Sequence, residues 1–188
     1  LLACPFDAMG ATMATYCGQN VGARRLERLG QGIRSCSLLG LAYAVVAFCA
    51  MLVFADPCAM LFLNPSEPQL DLLVSLTSRY VTSVTAFFFP LALVNIIRFS
   101  IQGMGYSSFA ILAGVLEMAA RAGVGLGLVP VFGYTAVCVA SPAAWIAADL
   151  FLVPAAFACI RKLRKMYPNQ PEPPLPAQAE TAPLRPVR

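Results

Sequence analysis

The sequence has few charged residues and no histidine. Asp, Glu, Lys and Arg make up 12 % of its 188 residues, whereas hydrophobic residues make up 59 %. Soluble domains average about 25 % charged residues, so this composition excludes an ordinary soluble domain and predicts a membrane protein. The seven cysteines include no CxxC pair, which together with the lack of histidine argues against a metal centre or a disulfide framework. We expect the cysteines to pack as small apolar side chains.

The sequence also lacks the patterns that enzymes of common classes require. It has no glycine-rich loop for phosphates and no nucleophile beside a base. The net charge of +4 is modest, and the basic residues do not form a nucleic-acid-binding patch. We therefore expect no catalytic residues, no cofactor and no nucleic-acid partner.

Five apolar stretches dominate the chain. They are residues 1–21, 35–55, 72–97, 109–131 and 134–160, and each approaches or exceeds the roughly 20 residues that cross a bilayer as a helix. They predict an all-α membrane protein, a bundle of about five transmembrane helices over residues 1–165. Residues 166–188 are rich in proline and polar residues, which predicts a disordered tail. Because the chain starts with Leu1 inside an apolar run, without a leader pattern, we interpret it as a fragment.

The basic residues predict how the chain is oriented. With five spans, successive connections lie on alternate sides of the membrane. One side then carries nine basic residues, and the other carries only Arg79. The nine are Arg24, Arg25, Arg28, Arg34, Arg98, Arg161, Lys162, Arg164 and Lys165. Connections on the cytoplasmic side carry the excess of Lys and Arg. We therefore expect a multi-pass protein of the plasma (inner) membrane with its C-terminus in the cytoplasm.

Two opposite charges lie within the fourth span. Glu117 and Arg121 are four residues apart, so they share a helix face in the favoured order. Ionisable groups at such depth usually face a bundle interior or a water-filled path. One interpretation is a structural ion pair that locks this helix to a neighbour, and the other is a cation-coupled switch. Because the arginine holds the carboxylate ionised and breaking the pair is costly, the structural role is favoured.

Two further carboxylates are candidates for ion coupling or substrate binding. Asp149 has no basic residue within one helical turn, so its partner must come from another helix or from a ligand. It either accepts a hydrogen bond from a hydroxyl across the bundle or exchanges a proton for a cation, and the sequence favours neither. Asp7 is the only charge of the first span and has a comparable environment.

Several stretches resemble the multidrug and toxic compound extrusion (MATE) family of secondary transporters. Residues 11–23, ATMATYCGQNVGA, followed by RRLER, resemble a family span end with its basic loop. Residues 98–105 resemble the short loop before the penultimate helix, the Glu117-Arg121 spacing resembles a pair on that helix, and residues 142–148 resemble the last helix. The motif positions are Gly18, Gln19, Asn20, Gly22, Gly103, Gly105 and Trp145.

The resemblance covers about 165 residues and implies helices eight to twelve of a twelve-helix transporter. It implies an antiporter that exports organic cations or amphipathic drugs as Na⁺ or H⁺ flows inward. The missing N-terminal lobe would then be a partner, along with the lipid bilayer. Some members carry an acidic cation-site residue on the tenth helix, but residues 80–97 contain no Asp or Glu. This departure argues against a Na⁺ site of that kind and favours coupling through the other lobe.

Two alternatives remain open from the sequence. One is a flippase for lipid-linked oligosaccharides of the wider superfamily, which needs several basic residues around a cavity. Only Arg79 and Arg121 lie near the membrane outside the predicted cytoplasmic loops. The other is a membrane scaffold whose proline-rich tail binds a partner in an extended conformation.

Overall fold

The computed structural model describes residues 2–64 and 68–167. Within them the chain is helical and has no strand, which confirms the predicted all-α fold. The helices are α1 (Cys4–Gly22), α2 (Glu27–Met60), α3 (Leu70–Ala86), α4 (Phe88–Gly103), α5 (Ser107–Gly123), α6 (Val129–Phe132) and α7 (Tyr134–Met166), with a π-helical turn (Val124–Leu128) between α5 and α6. Of the predicted tail, residues 168–188 lie outside the described residues.

Two helices extend well beyond the apolar runs that predicted them. α2 begins at Glu27 and continues to Met60, so it extends beyond both ends of the apolar run 35–55. α7 continues through the basic residues to Met166. An apolar run marks the part of a helix that suits the bilayer core. Backbone hydrogen bonding continues into the polar flanks, which hydropathy does not reveal.

α3 and α4 form one predicted span that is bent by 49°. The break lies at Phe87, and Pro90 is the third residue of α4. Proline has no N–H to donate to the carbonyl four residues earlier, that of Ala86, and its ring crowds the same carbonyl. The bend therefore lies one turn before the proline, which is the usual cause of a sharp kink.

Most of the predicted spans have the length and hydropathy needed to cross a membrane. In the described part of the chain, α2, the continuous stretch Ser107–Phe132 and α7 meet both conditions, and the bent pair α3–α4 provides a fourth span. α1 is not among them, since Asp7, Gln19 and Asn20 reduce its hydropathy. The structure is thus a multi-pass helical bundle, and membrane crossing by α1 stays a prediction.

α4 lies at the centre of this bundle. It packs against α1, α2, α5 and α7. Its buried side chains include Ile96 and Ile101, both with 0 % exposure. At its first residue, Phe88 packs edge-to-face on Phe6 of α1, with ring centroids 5.5 Å apart. In lipid, such contacts are stabilised by close packing rather than by exclusion of water, so the fit around α4 determines how well the bundle holds together.

Glycines allow α1 to approach α4. A Cβ on Gly103 would overlap the backbone of Ala14, and a Cβ on Gly10 would lie 2.6 Å from the ring of Phe99. Gly103 tolerates no side chain because its neighbour is backbone, which cannot rotate away.

The two GxxxG pairs in the sequence do not act as pairs here. Gly18 faces the carbonyl oxygen of Gly103, which would lie 3.5 Å from an added Cβ, but Gly22 has nothing within 4 Å. Gly123 and Gly127 also have open space around them. The close helix contact therefore combines glycines from two helices, a pattern that spacing along one helix does not reveal.

Aromatic contacts bring several connections together at one end of the bundle. The Arg24 guanidinium lies 5.5 Å from the centroid of the Tyr167 ring, and the Lys162 amine lies 5.3 Å from that of Tyr106. The α1–α2 connection, the α4–α5 connection and the end of α7 thus meet. We call this the basic end, and it comprises residues 23–28, 104–106 and 161–167.

The opposite end is built from the end of α2 and the beginnings of α3 and α7. Ser78 donates a hydrogen bond to Asp56, and the Tyr134 hydroxyl donates to the Leu76 carbonyl at 2.5 Å. Arg79 donates to Thr135 at 3.4 Å. The basic residues of the α1–α2 connection and of the end of α7 thus lie at one end and Arg79 at the other, as the charge pattern predicted. Arg98, which the pattern counted with the basic connections, lies within α4. That the basic end faces the cytoplasm stays a prediction.

Replacing Gly103 with alanine tests the α1–α4 contact. We expect Gly103→Ala to destabilise the bundle by about 1–3 kcal/mol, since overpacking forces the two backbones apart. The matched control is Gly114→Ala in α5, where an added Cβ meets nothing within 4 Å, and alanine there should be neutral or stabilise by up to about 1 kcal/mol. Thermal unfolding of the two variants in detergent would measure the difference. Equal stabilities would contradict the close approach of α1 and α4.

Candidate functional site

An ion-pair network joins α4 to α5 within the membrane-spanning part of the bundle. Nη2 of Arg98 lies 2.6 Å from Oε2 of Glu117, and Nη2 of Arg121 lies 2.9 Å from Oε1. Each carboxylate oxygen therefore accepts a charged hydrogen bond from a different arginine, and such bonds are about twice as strong as neutral ones. The predicted pair of Glu117 and Arg121 is present, but it is half of a three-residue network.

The two arginines differ in their surroundings. The side chains of Arg98 and Glu117 are 22 % and 17 % exposed, whereas that of Arg121 is 48 % exposed. The Arg98 pair joins two helices, while the Arg121 pair lies along α5. An ion pair gains more from Coulomb attraction where water is scarce, so the Arg98–Glu117 contact is the one that fixes α5 on α4.

Arg98 was predicted to lie in a short basic connection, and this prediction is wrong. α4 continues to Gly103, which places Arg98 five residues before the end of the helix. Residues 98–105 were interpreted as a loop because they follow the apolar run 72–97 and resemble the short loop before the family's penultimate helix. Arg98 is the second partner of Glu117, and only the contact between α4 and α5 reveals it. The two residues are 19 positions apart, so no helical repeat predicts their pairing.

Asp149 lies in the middle of α7, beside this network. It is close enough for the charges of both Arg98 and Glu117 to act on it. Its Oδ1 atom is buried and has no hydrogen-bond partner among the described residues, and the same is true of Nε of Arg98. One of the two alternatives for Asp149, a hydrogen bond from a hydroxyl across the bundle, is not formed at this oxygen within the described residues. An acceptor and a donor thus remain available in a largely apolar region.

A groove on the surface of α7 leads to Asp149. It has a volume of about 340 Å³, and its other lining residues are Ile146, Leu150, Val153 and Pro154. Trp145, one turn before Asp149, is 8 % exposed and belongs to the buried core. Asp149 therefore has buried charged neighbours on one side and an apolar groove on the other, an arrangement that suits a cation with an apolar body.

The remaining candidate carboxylate, Asp7, lies elsewhere. It is an exposed residue in the first turn of α1, and no ion pair joins it to a basic residue in the parts of the chain that the structure describes. The structure thus does not bring Asp7 together with the network around Glu117.

The motif at the end of α1 shapes the turn into α2. The Asn20 side chain donates to the Tyr16 carbonyl at 2.8 Å, and the Asn20 carbonyl accepts from the N–H of Arg25 at 2.8 Å. The Gln19 carbonyl accepts from the N–H of Ala23 at 2.9 Å. The Asn20 side chain therefore has a structural role at the end of the helix, whereas Gln19 takes part through its backbone carbonyl, which any residue would provide.

Gly105 has a similar role in the short connection between α4 and α5. Its φ angle is +89°, a conformation that glycine adopts without the strain a Cβ would cause. Its N–H donates to the Gln102 carbonyl at 2.9 Å. The glycine thus reverses the chain within three residues and allows α5 to run back along α4, which brings Glu117 to Arg98.

The fold and the buried charges define a polytopic helical membrane protein with an ionisable cluster inside its bundle. The MatE family model matches residues 1–126, two thirds of the chain, and this range includes α1 to α5 with Arg98, Glu117 and Arg121. The chain belongs to the MATE family of membrane transporters. No curated protein and no solved structure gave a significant match.

Removing each arginine in turn tests which one holds Glu117. We expect Arg98→Met to lower the free energy of unfolding by about 2 kcal/mol, below the 3–5 kcal/mol for fully buried pairs because some water reaches this one. Arg121→Met should cost less than about 1 kcal/mol, as for an exposed pair within a helix. Unfolding titrations in detergent would measure both variants.

The double variant Arg98→Met/Glu117→Met provides the control. It removes both charges of the pair. It should therefore be more stable than the summed effects of Arg98→Met alone and Glu117→Met alone would predict. Additive effects would show that Arg98 and Glu117 do not interact, and would contradict the network.

Proposed function

We propose that this chain forms part of a secondary active antiporter that exports organic cations or amphipathic drugs in exchange for Na⁺ or H⁺. The observation that carries this proposal is the buried Oδ1 of Asp149, which has no hydrogen-bond partner among the described residues and lies beside Arg98 and Glu117. Buried polar groups are normally satisfied. One that is not satisfied in one state of a transporter is a candidate for binding a proton, a cation or a substrate in another.

The ion-pair network and Asp149 are suited to different tasks. Glu117 accepts from two guanidinium groups, so both of its carboxylate oxygens already have a charged partner. We assign it the role of fixing α5 on α4. Asp149 has no such contact, so its occupancy is free to change as the helices rearrange. Only a ligand that binds two conformations differently can shift their equilibrium, and Asp149 is the described residue best placed to provide that difference.

The ion gradient supplies enough free energy for this process. Moving one elementary charge inward yields about 2.3 kcal/mol per 100 mV of membrane potential. Since about 1.4 kcal/mol corresponds to a tenfold ratio, this sustains a roughly fifty-fold gradient of a neutral substrate. No hydrolysis site is required, in keeping with the absence of a phosphate-binding loop from the sequence.

The alternative of a lipid-linked oligosaccharide flippase fits the site less well. A pyrophosphate needs arginine or lysine side chains that are free to bind it. Here Arg98 and Arg121 both donate to Glu117, and Asp149 adds a further acidic group. A scaffold function would rest on the tail, whose residues beyond 167 lie outside the described part of the chain.

Efflux of a fluorescent cationic dye tests the proposed exchange. In cells that express the gene encoding this chain, we expect efflux to stop when the coupling gradient is abolished. The Na⁺ and H⁺ gradients would be removed separately, with an empty vector as the control. Loss of efflux with one gradient would identify the ion. Efflux that never exceeds the control would contradict drug export and favour the flippase.

Replacing Asp149 with asparagine tests its role in coupling. The amide keeps the shape of the side chain but cannot ionise. We expect Asp149→Asn to lower gradient-driven efflux at least tenfold, which corresponds to roughly 1.4 kcal/mol of lost differential binding. Dye efflux normalised to the amount of protein in the membrane would measure it.

Two further substitutions complete this test. Asp71→Asn makes the same chemical change at an exposed residue of α3, far from the network, and should leave efflux unchanged. Asp7→Asn examines the remaining candidate carboxylate. Unchanged efflux and unchanged ion dependence in Asp149→Asn would rule out a coupling role for Asp149.

A further inference from the structure

The last turns of α7 carry a groove that the proposed transport cycle does not use. It has a volume of about 500 Å³ and is lined by Pro154, Phe157, Ala158, Arg161, Lys162 and Lys165. A neighbouring recess of about 220 Å³ shares Phe157 and Arg161 with it and adds Arg164. We call these two cavities together the α7 groove. Their cations lie at the basic end of the bundle, twelve residues or more beyond Asp149 on α7, which is about 18 Å along the helix axis. Pro154, at the other end of the α7 groove, also lines the groove that leads to Asp149.

The cations of the α7 groove have no acidic partner in the structure. No ion pair joins Arg161, Arg164 or Lys165 to a carboxylate anywhere in residues 2–64 and 68–167, and all three side chains are exposed. Lys162 is held over the Tyr106 ring, with its amine 5.3 Å from the centroid. Four positive charges thus lie within five residues, and their summed field attracts an anion.

The other wall of the groove is apolar. Phe157 is 71 % exposed, and Pro154 and Ala158 are exposed beside it. Arg161 follows Phe157 by one helical turn, which places the first cation about 6 Å further along the helix axis. A phosphate group with acyl chains attached would match both walls at once, whereas a free phosphate would leave the apolar wall unused.

We propose that the α7 groove binds an anionic phospholipid, with the phosphate between Arg161 and Lys165 and an acyl chain against Phe157. Clusters of four or more basic residues next to a membrane span attract anionic head groups. Here the cluster is folded into a cavity that also offers an apolar contact, so the groove selects a lipid with a negatively charged head. The cations that would hold the phosphate are separate from the cluster around Asp149, although Pro154 lines both grooves. The proposal does not depend on the transported substrate.

Competition between two lipids tests the proposal. The protein, as its gene encodes it, would be purified in mixed micelles of phosphatidylglycerol and phosphatidylcholine, and the retained lipids counted by native mass spectrometry. We expect a preference for phosphatidylglycerol. Each basic side chain near an anionic head group strengthens binding about fivefold. Arg161→Gln/Lys165→Gln should therefore reduce the preference about 25-fold.

A second double variant controls for general surface charge. Arg28→Gln/Arg34→Gln removes the same charge from exposed residues of α2 that do not line the α7 groove, and it should reduce the preference clearly less than Arg161→Gln/Lys165→Gln does. Circular dichroism of each variant would establish that it is folded. Equal losses in the two double variants would show unspecific attraction and overturn the proposal.

A substitution in the apolar wall of the α7 groove tests whether the ligand is a lipid or a soluble anion. Phe157→Gln changes no charge, yet it should lower retention of phosphatidylglycerol because the acyl chain loses its contact. Millimolar inorganic phosphate should not displace the bound lipid. Displacement by phosphate, or full retention in Phe157→Gln, would identify an anion site without lipid specificity. No preference between the two lipids in the native chain would also overturn the proposal.

Discussion

The Arg98–Glu117 ion pair is the interaction on which the arrangement of this site depends. A charged side chain inside a bilayer cannot rely on water, so its partner must come from the protein. Here a carboxylate of α5 accepts from guanidinium groups on two helices, at 2.6 Å and 2.9 Å. This contact fixes α5 against the central helix and sets the surroundings of Asp149 on α7. The bend before Pro90 and the short turn at Gly105 let α4 and α5 meet in this way.

The sequence predicted the fold class because hydropathy has a direct physical meaning in a bilayer. Five apolar runs correspond to α1, α2, the α3–α4 pair, the stretch Ser107–Phe132 and α7. The third run is bent by 49° one turn before Pro90. The ends of the helices were less predictable, because hydropathy shows where an apolar run ends but not where the helix ends. For this reason Arg98, at the end of an apolar run, was assigned to a connection although it is helical.

The candidate site was predictable in part for the same reason. Glu117 and Arg121 lie one turn apart, so their pairing follows from the helical repeat. The second partner of Glu117 comes from another helix, and contacts across a bundle follow from packing rather than from spacing. Packing in turn depends on small residues such as Gly103, whose neighbour is the backbone of Ala14. The spacing of glycines along one helix does not predict this contact, because it combines glycines of two helices.

The distribution of charge gives the two ends and the middle of the bundle different physical roles. Four cations lie within residues 161–165 at the basic end, and none of them pairs with a carboxylate of the described residues. Such a surface is attracted to anionic head groups. The middle carries two arginines and two carboxylates, whose formal charges cancel. A neutral cluster costs less to keep within an apolar layer than an unbalanced one. Protonation of Asp149 or arrival of a cation there would change that balance by one unit, which makes this residue sensitive to ions and leaves the paired Glu117 as a fixed support.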